Sequence, residues 1–277
     1  MKLQINQLFE QIHNVPQVPE VVRMLITQLA DPNAKFDDIA KNVEKEQVIS
    51  IKVLRLVNSA HFGLSKKIGS IDDAVVMLGM SKLKTLVIAS GIVNSVPDIP
   101  NFNTKAFWAN SFRTATYAKW LAEEIKLDNS DTVFTAGLIS GLGTILLYLG
   151  APKVANEIDQ HVKAGENRHE YEQKRLGFAN QAVAAELCNR WHFSDELIDT
   201  IAKSADPLNA DEISISACIV YIARQISELK NGETGEQDII NDFPVKEWKQ
   251  LGLDAGDIEK KLPEILALES GLDGLAG

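Results

Sequence analysis

Apolar residues recur at intervals of three and four along nearly the whole chain, the repeat of a helix with one buried face, and no run of strict alternation marks a strand. Val21, Val22, Leu25, Ile26 and Leu29 make the first such face, expected to end near Asp31-Pro32, because proline disfavours helical backbone at the residue before it. Val48, Ile51, Leu54 and Val57 make a second face that stops at Asn58-Ser59-Ala60. Ser70, followed by Asp72 and Asp73, reads as an N-cap with an acidic first turn, and Leu78-Gly79 as the end of that helix. Ser81 is the expected cap of the next helix, which turns Leu83, Leu86, Val87 and Val93 inward until Val96-Pro97-Asp98-Ile99-Pro100 breaks the pattern. A long amphipathic helix then runs from Thr104 to Lys126 and carries Phe107, Trp108, Phe112, Tyr117 and Trp120 on more than one face. Shorter helices are predicted at 151–163, 166–176, 179–191, 195–204 and 211–230. A loop follows at 231–236, then helices near 245–251 and 255–268 and a Gly-rich tail expected to fray. The expectation is an all-α protein of two units, an N-terminal helical subdomain over residues 1–97 and a helical core with C-terminal helices over 104–277.

The stretch from Val133 to Gly150, VFTAGLISGLGTILLYLG, carries no charge and is nearly long enough to cross a bilayer. Gly137, Gly141, Gly143, Thr135, Ser140 and Thr144 dilute it, so it reads as one central helix buried in protein, with no membrane span expected. The chain holds 28 Lys and Arg against 38 Asp and Glu, a net charge of −10, and no basic cluster that would offset this against a phosphate backbone; no nucleic-acid partner is expected. Cys188 and Cys218 are too few and too far apart for a disulfide framework or a zinc knuckle and read as buried free thiols. The opening residues MKLQINQLFEQIHN lack the apolar core of a secretory signal, which points to the cytoplasm.

Two blocks resemble a known family. Val18-Pro19-Glu20-Val21-Val22, Leu54 to Ala60 with Phe62-Gly63, Ile71 to Val75 and Leu78-Gly79 form the first; Phe107-Trp108, Ala136-Gly137-Leu138, Gly143 and Arg190-Trp191 form the second. Together, over roughly residues 12–230, they are similar to the HDOD family, the HD-related output domain of bacterial signalling proteins. That resemblance implies an N-terminal subdomain packed on a pseudo-HD helical core, with Asn58, Ser59, Gly63, Gly79, Trp108, Gly143 and Trp191 as structural motif residues. An active HD site holds a divalent metal on imidazole and carboxylate ligands, and the metal lowers the pKa of the attacking water. The resemblance places those ligands at Asn110, Ser140, Gly141, Asn180, Ser204 with Ala205, and Arg224, and none of these residue types can supply the set.

No metal, no other cofactor and no catalytic residue are therefore expected. The five histidines, His13, His61, His161, His169 and His192, read as structural; Asn58 is expected to bond the backbone and Gly63 to supply a positive φ beside His61. Two functions follow from the resemblance. The first is a non-catalytic regulatory module acting on signalling or regulatory proteins, its input arriving from a partner or a bound small molecule. The second is a nucleotide- or phosphate-binding protein, or residual phosphohydrolase, using the vacated cleft, with Asn110, Ser140, Gly141, Asn180, Ser204 and Arg224 as its candidate lining. Lys66, Lys67, Lys82 and Lys84 stand out as a possible docking patch in an acidic chain.

Overall fold

The computed structural model describes residues 3–27, 36–64, 67–100, 102–231 and 236–275, and among them there are helices and no strands. Six helices come first: α1 (Ile5–Gln11), α2 (Glu20–Thr27), α3 (Phe36–Lys45), α4 (Gln47–Val57), α5 (Ile71–Leu78) and α6 (Met80–Ser95). Eight build the core: α7 (Thr104–Glu124), α8 (Ser130–Ile139), α9 (Leu142–Gly150), α10 (Pro152–Lys163), α11 (Arg168–Arg175), α12 (Asn180–Arg190), α13 (Asp195–Lys203) and α14 (Ile215–Asn231). Three short ones close the chain: α15 (Glu236–Asn241), α16 (Val245–Gln250) and α17 (Ile258–Ala267). The all-α expectation holds, with an N-terminal helical unit packed on an HD-like core. Leu29, Asp31-Pro32, Lys66 and residues 232–235 of the loop predicted at 231–236 lie outside the described residues.

In the N-terminal unit α6 is the pivot. Leu83, Leu86, Val87, Ile88, Ala89 and Ile92 are all buried, and α2 crosses so closely that a Cβ on Gly91 would stand 2.2 Å from Val22 Cγ2. Ser70 Oγ accepts a hydrogen bond from Asp73 N, the cap that the sequence predicts for α5. Ser81 does not cap α6: Gly79, at φ 80°, joins α5 to α6, which leaves Ser81 inside the first turn. Asn58 Nδ2 donates to Leu54 O and Ile68 O at 2.8 Å, and Asn58 Oδ1 accepts from Ile68 N at 2.8 Å, so this one side chain ties Ile68 to the end of α4. Gly63 supplies the left-handed turn of that loop at φ 56°, whereas the buried Ser59 hydroxyl makes no hydrogen bond.

The apolar stretch predicted as one helix is two, α8 and α9, interrupted at Ser140-Gly141. Ser140 Oγ donates to Gly137 O, competing with the helical ladder, and Gly141 O accepts from Thr144 N to open the next helix. Ser130–Gly150 is long and apolar enough to cross a membrane, yet 83% of its most apolar window is buried inside the protein. The long amphipathic α7 lies along α8 and α14 and buries Trp108, Phe112 and Tyr117.

Both ends of the chain reach across the molecule. Leu8 and Ile12 pack where a Cβ on Gly150 would be, so α1, drawn from sequence into the N-terminal subdomain, rests on α9; Trp191 Nε1 donates to Pro16 O at 2.9 Å beside it. The tail predicted to fray instead forms a 3-10 turn, Asp273–Leu275, against α4, α6 and α7, with Leu272 and Leu275 buried and Gly271 set against the His61 ring. Residues 211–214 are not helical as predicted; α14 starts at Ile215, with Ser214 Oγ accepting from Ala217 N at 3.2 Å.

Candidate functional site

The helical core encloses a cleft of about 820 Å³ between α7, the α8–α9 turn, α10, α11, the start of α12 and α14. Its volume falls in the range of small-molecule pockets. Asn110, Ser140, Gly141, Asn180 and Arg224 all line it, five of the six residues singled out from sequence. Ser204 does not: it is fully buried at the end of α13, its hydroxyl donates to Ile201 O at 2.8 Å, and its carbonyl accepts from Arg224 Nη2 at 3.4 Å. It holds the guanidinium from behind the lining.

Glu172, with none of its surface exposed, organises the far wall. It accepts from Asn180 N at 2.7 Å and from Asn180 Nδ2 at 2.9 Å, fixing the start of α12, and from Arg168 Nη1 at 3.4 Å. Arg168 also pairs with Asp159, whose other oxygen accepts from Tyr148 Oη at 2.6 Å. Burial alone would lower the Arg168 pKa; Glu172 and Asp159 outweigh it and the value is raised. Burial and then the bond to Asp159 push the Tyr148 pKa up, so its hydroxyl stays a donor. The close packing behind this wall comes from Gly143, where a Cβ would stand 1.8 Å from Asn180 O. On α7, Asn110 Oδ1 accepts from Ser227 Oγ at 2.7 Å.

Three lining side chains keep buried polar atoms with no hydrogen-bond partner: Gln181 at Nε2 and Oε1, Thr114 at Oγ1 and Arg224 at Nε. Sequence reasoning did not find Gln181, Thr114, Glu172, Asp159 or Arg168. Gln181 follows Asn180, which the resemblance singles out, the one signal available; Glu172 sits in the strongly polar helix RHEYEQKR, where nothing distinguishes a buried carboxylate from solvated ones.

The donor set does not fit a divalent metal. Among the described residues no group of three or more His, Cys, Asp or Glu could hold one; of the carboxylates that line the cleft, Asp159 pairs with Arg168, Glu166 with His161, and Glu228 is exposed on α14, while Glu172 behind the wall pairs with Arg168. His161 pairs with Glu166 at 2.5 Å and stacks on Tyr171; His61 lies 3.5 Å from Glu269; His192 takes the left-handed position after α12 at φ 59°. Cys188 and Cys218 are free and buried.

Fold and site together define an all-helical protein with an HD-like core whose cleft brings together Asn110, Ser140, Gly141, Asn180 and Arg224. A family model described as the HDOD domain matches residues 15–207, and the chain belongs to the HDOD family. Among solved structures it is similar to an HDOD domain protein from Geobacter sulfurreducens (22% identity, 98% of this chain and 96% of that one, TM-score 0.80). A Shewanella amazonensis protein provisionally named a phosphohydrolase matches at 28% identity over 98% and 97% of the two chains, TM-score 0.75. A Marinobacter aquaeolei protein provisionally named for signal transduction matches at 20% over 95% and 59%, TM-score 0.75. The chain spans about half the length, 48%, of the curated relative it matches, an uncharacterized Treponema pallidum protein 23% identical over 256 residues.

Proposed function

We propose that this chain is a non-catalytic regulatory module of bacterial signal transduction that acts through contacts with other proteins. The observation that carries the reading is the convergence of Asn110, Ser140, Gly141, Asn180 and Arg224 on one cleft, a set with no imidazole and no carboxylate to activate water through a metal. The family's role and the signal-transduction name of one structural neighbour support the regulatory half. Val48 and Ile51, expected on the inward face of α4, are exposed because α4 turns Ile49, Val53, Leu56 and Val57 inward; with Val76 and Met77 on α5 they lie on adjoining helices of the N-terminal unit, the composition of a surface a protein partner covers. Lys67 and Lys82 are exposed and Lys84 half-buried in the same N-terminal unit.

Two measurements test the reading. Elemental analysis of protein purified without chelator is expected to find no Fe, Mn, Ni or Zn near one per chain, and cyclic dinucleotides and nucleoside phosphates are expected to survive incubation. Stoichiometric metal with turnover that tracks the protein would sink it. In the second, Ile51→Asp with Val76→Asp is expected to weaken capture of a regulatory partner while helicity and Tm hold; capture unchanged would move the docking surface elsewhere.

A second reading, binding of a small ligand in the vacated cleft, is favoured by the unpartnered polar atoms of Gln181, Thr114 and Arg224.

A further inference from the structure

Buried amide, hydroxyl and guanidinium groups are almost always hydrogen-bonded, so several left unanswered along one cavity point to what the cavity receives. Gln181 is 1% exposed with both amide atoms unpartnered, Thr114 is 2% exposed with a free hydroxyl, and Arg224 is 8% exposed with Nε unanswered. All three line the same cleft. Arg224 is fixed by Ser204 O and lies 5.7 Å from the Tyr221 ring, and among the described residues no carboxylate stands in an ion pair with it: Asp159 pairs with Arg168 and Glu166 with His161. The deep part of the cleft therefore offers a guanidinium beside unanswered neutral polar groups, while Glu228 lines the cleft from the next turn of α14.

The other end of the cleft is aromatic. Phe107, Phe102 and Tyr148 form a continuous wall, with ring centroids 5.6 Å apart from Phe102 to Phe107 and 4.8 Å from Phe102 to Tyr148. Phe107 and Thr114 are seven residues apart on α7, which sets the aromatic wall and the polar floor about 10 Å from each other along the helix axis. That separation suits a ligand with an oxyanion head and a flat ring joined by a short linker.

We propose that the cleft is an effector pocket for a small organic oxyanion, its phosphate or carboxylate head on Arg224, Gln181 and Thr114 and its ring against Phe102, Phe107 and Tyr148. The proposal rests on the ligand-binding reading above. No bond is made or broken; the site binds.

Calorimetric titration of the full chain with adenosine 5′-monophosphate and with 4-hydroxyphenylacetate tests it, and the two arms separate a nucleoside phosphate from an aromatic carboxylate as the source of the head. At least one is expected to bind one per chain, at least tenfold more tightly than its fragments (inorganic phosphate and adenosine, or acetate and p-cresol). Arg224→Gln and Gln181→Leu are each expected to weaken binding at least tenfold. A structural role alone would lower the melting temperature of Gln181→Leu; here it holds or rises, because the substitution removes two unanswered polar atoms. Binding of neither compound, a fragment as tight as its conjugate, or affinity unchanged in both variants would overturn the pocket. Chromatography of the titrated nucleotide keeps the two failures apart: hydrolysis would overturn the non-catalytic reading, whereas absent binding would overturn this inference alone.

Discussion

A carboxylate with no exposed surface is costly unless its oxygens are answered, and Glu172 meets that condition through Asn180 and Arg168 alone. Glu172→Ala is expected to destabilise by about 3 kcal/mol, the scale for orphaning one side of a buried pair, read as a lower urea midpoint with unchanged m. A loss within about 0.5 kcal/mol would mean the wall does not depend on it. Two neighbouring glycines make a sharper contrast. A Cβ at Gly143 would overlap Asn180 O at 1.8 Å, so Gly143→Ala should cost roughly 3 kcal/mol. At Gly141, right-handed at φ −83° and 3.3 Å from the edge of Phe107, Ala should fall within about 1 kcal/mol of neutral, and equal costs in thermal melts would reject the packing argument. Residues of the cleft were legible where a family frame fixes the position, as for Asn110, Ser140 and Arg224. Gln181 and Thr114 were not, since their significance lies in which atoms lack partners, and that is set by helices far apart in the chain.

Helices with a long apolar stripe could be read from period alone, as α6 and α7 show. The missed ones are short or sparse: α1 buries only Leu8 and Phe9 over seven residues, and α3 has four apolar positions in ten, one of them alanine. Composition misled at the tail, where the glycines suggested fraying but Leu272 and Leu275, three apart, turn the same way onto α4, α6 and α7. The apolar run at 133–150 hid a break because Ser140 and Gly141 both keep right-handed backbone, so the chain departs from helix by hydrogen bonding rather than by a change of hand. The tail supports a prediction at this scale. Leu272 is 1% exposed, so Leu272→Ala should cost roughly 2–4 kcal/mol, with amide exchange rising in α4 and α6 before α12. A uniform rise across all helices, or none, would show that the tail does not brace the N-terminal unit.

Across the whole molecule the two units are tied by chain ends that cross over, α1 onto α9 and the tail onto α4 and α6, and this predicts one cooperative unfolding transition. Its pH dependence follows from groups buried in the core. Burial raises the thiol pKa of Cys188 on α12 and, with Glu247 adding to it, pushes that of Cys218 on α14 up to about 11; Tyr117 and Tyr148 are raised by burial as well. An acid whose folded pKa is raised keeps a proton that the unfolded chain releases. The stability it contributes is intact below the ordinary values of 9.0 for cysteine and 10.0 for tyrosine and is lost as pH climbs past them. Tm should thus change little between pH 7 and 8.5 on account of these groups and fall steadily from about pH 9 upward, most steeply once the tyrosines join. The thiols also report on the cleft, since α12 and α14 form two of its walls. With the thiolate suppressed and no solvent access, neither cysteine should react with a disulfide reagent at pH 8 in the native protein, while both should react in guanidinium. Native reactivity at the rate of a free thiol would mean that the walls of the cleft separate on the timescale of the labelling, and the packing described for α12 against α9 would then be only one of its states.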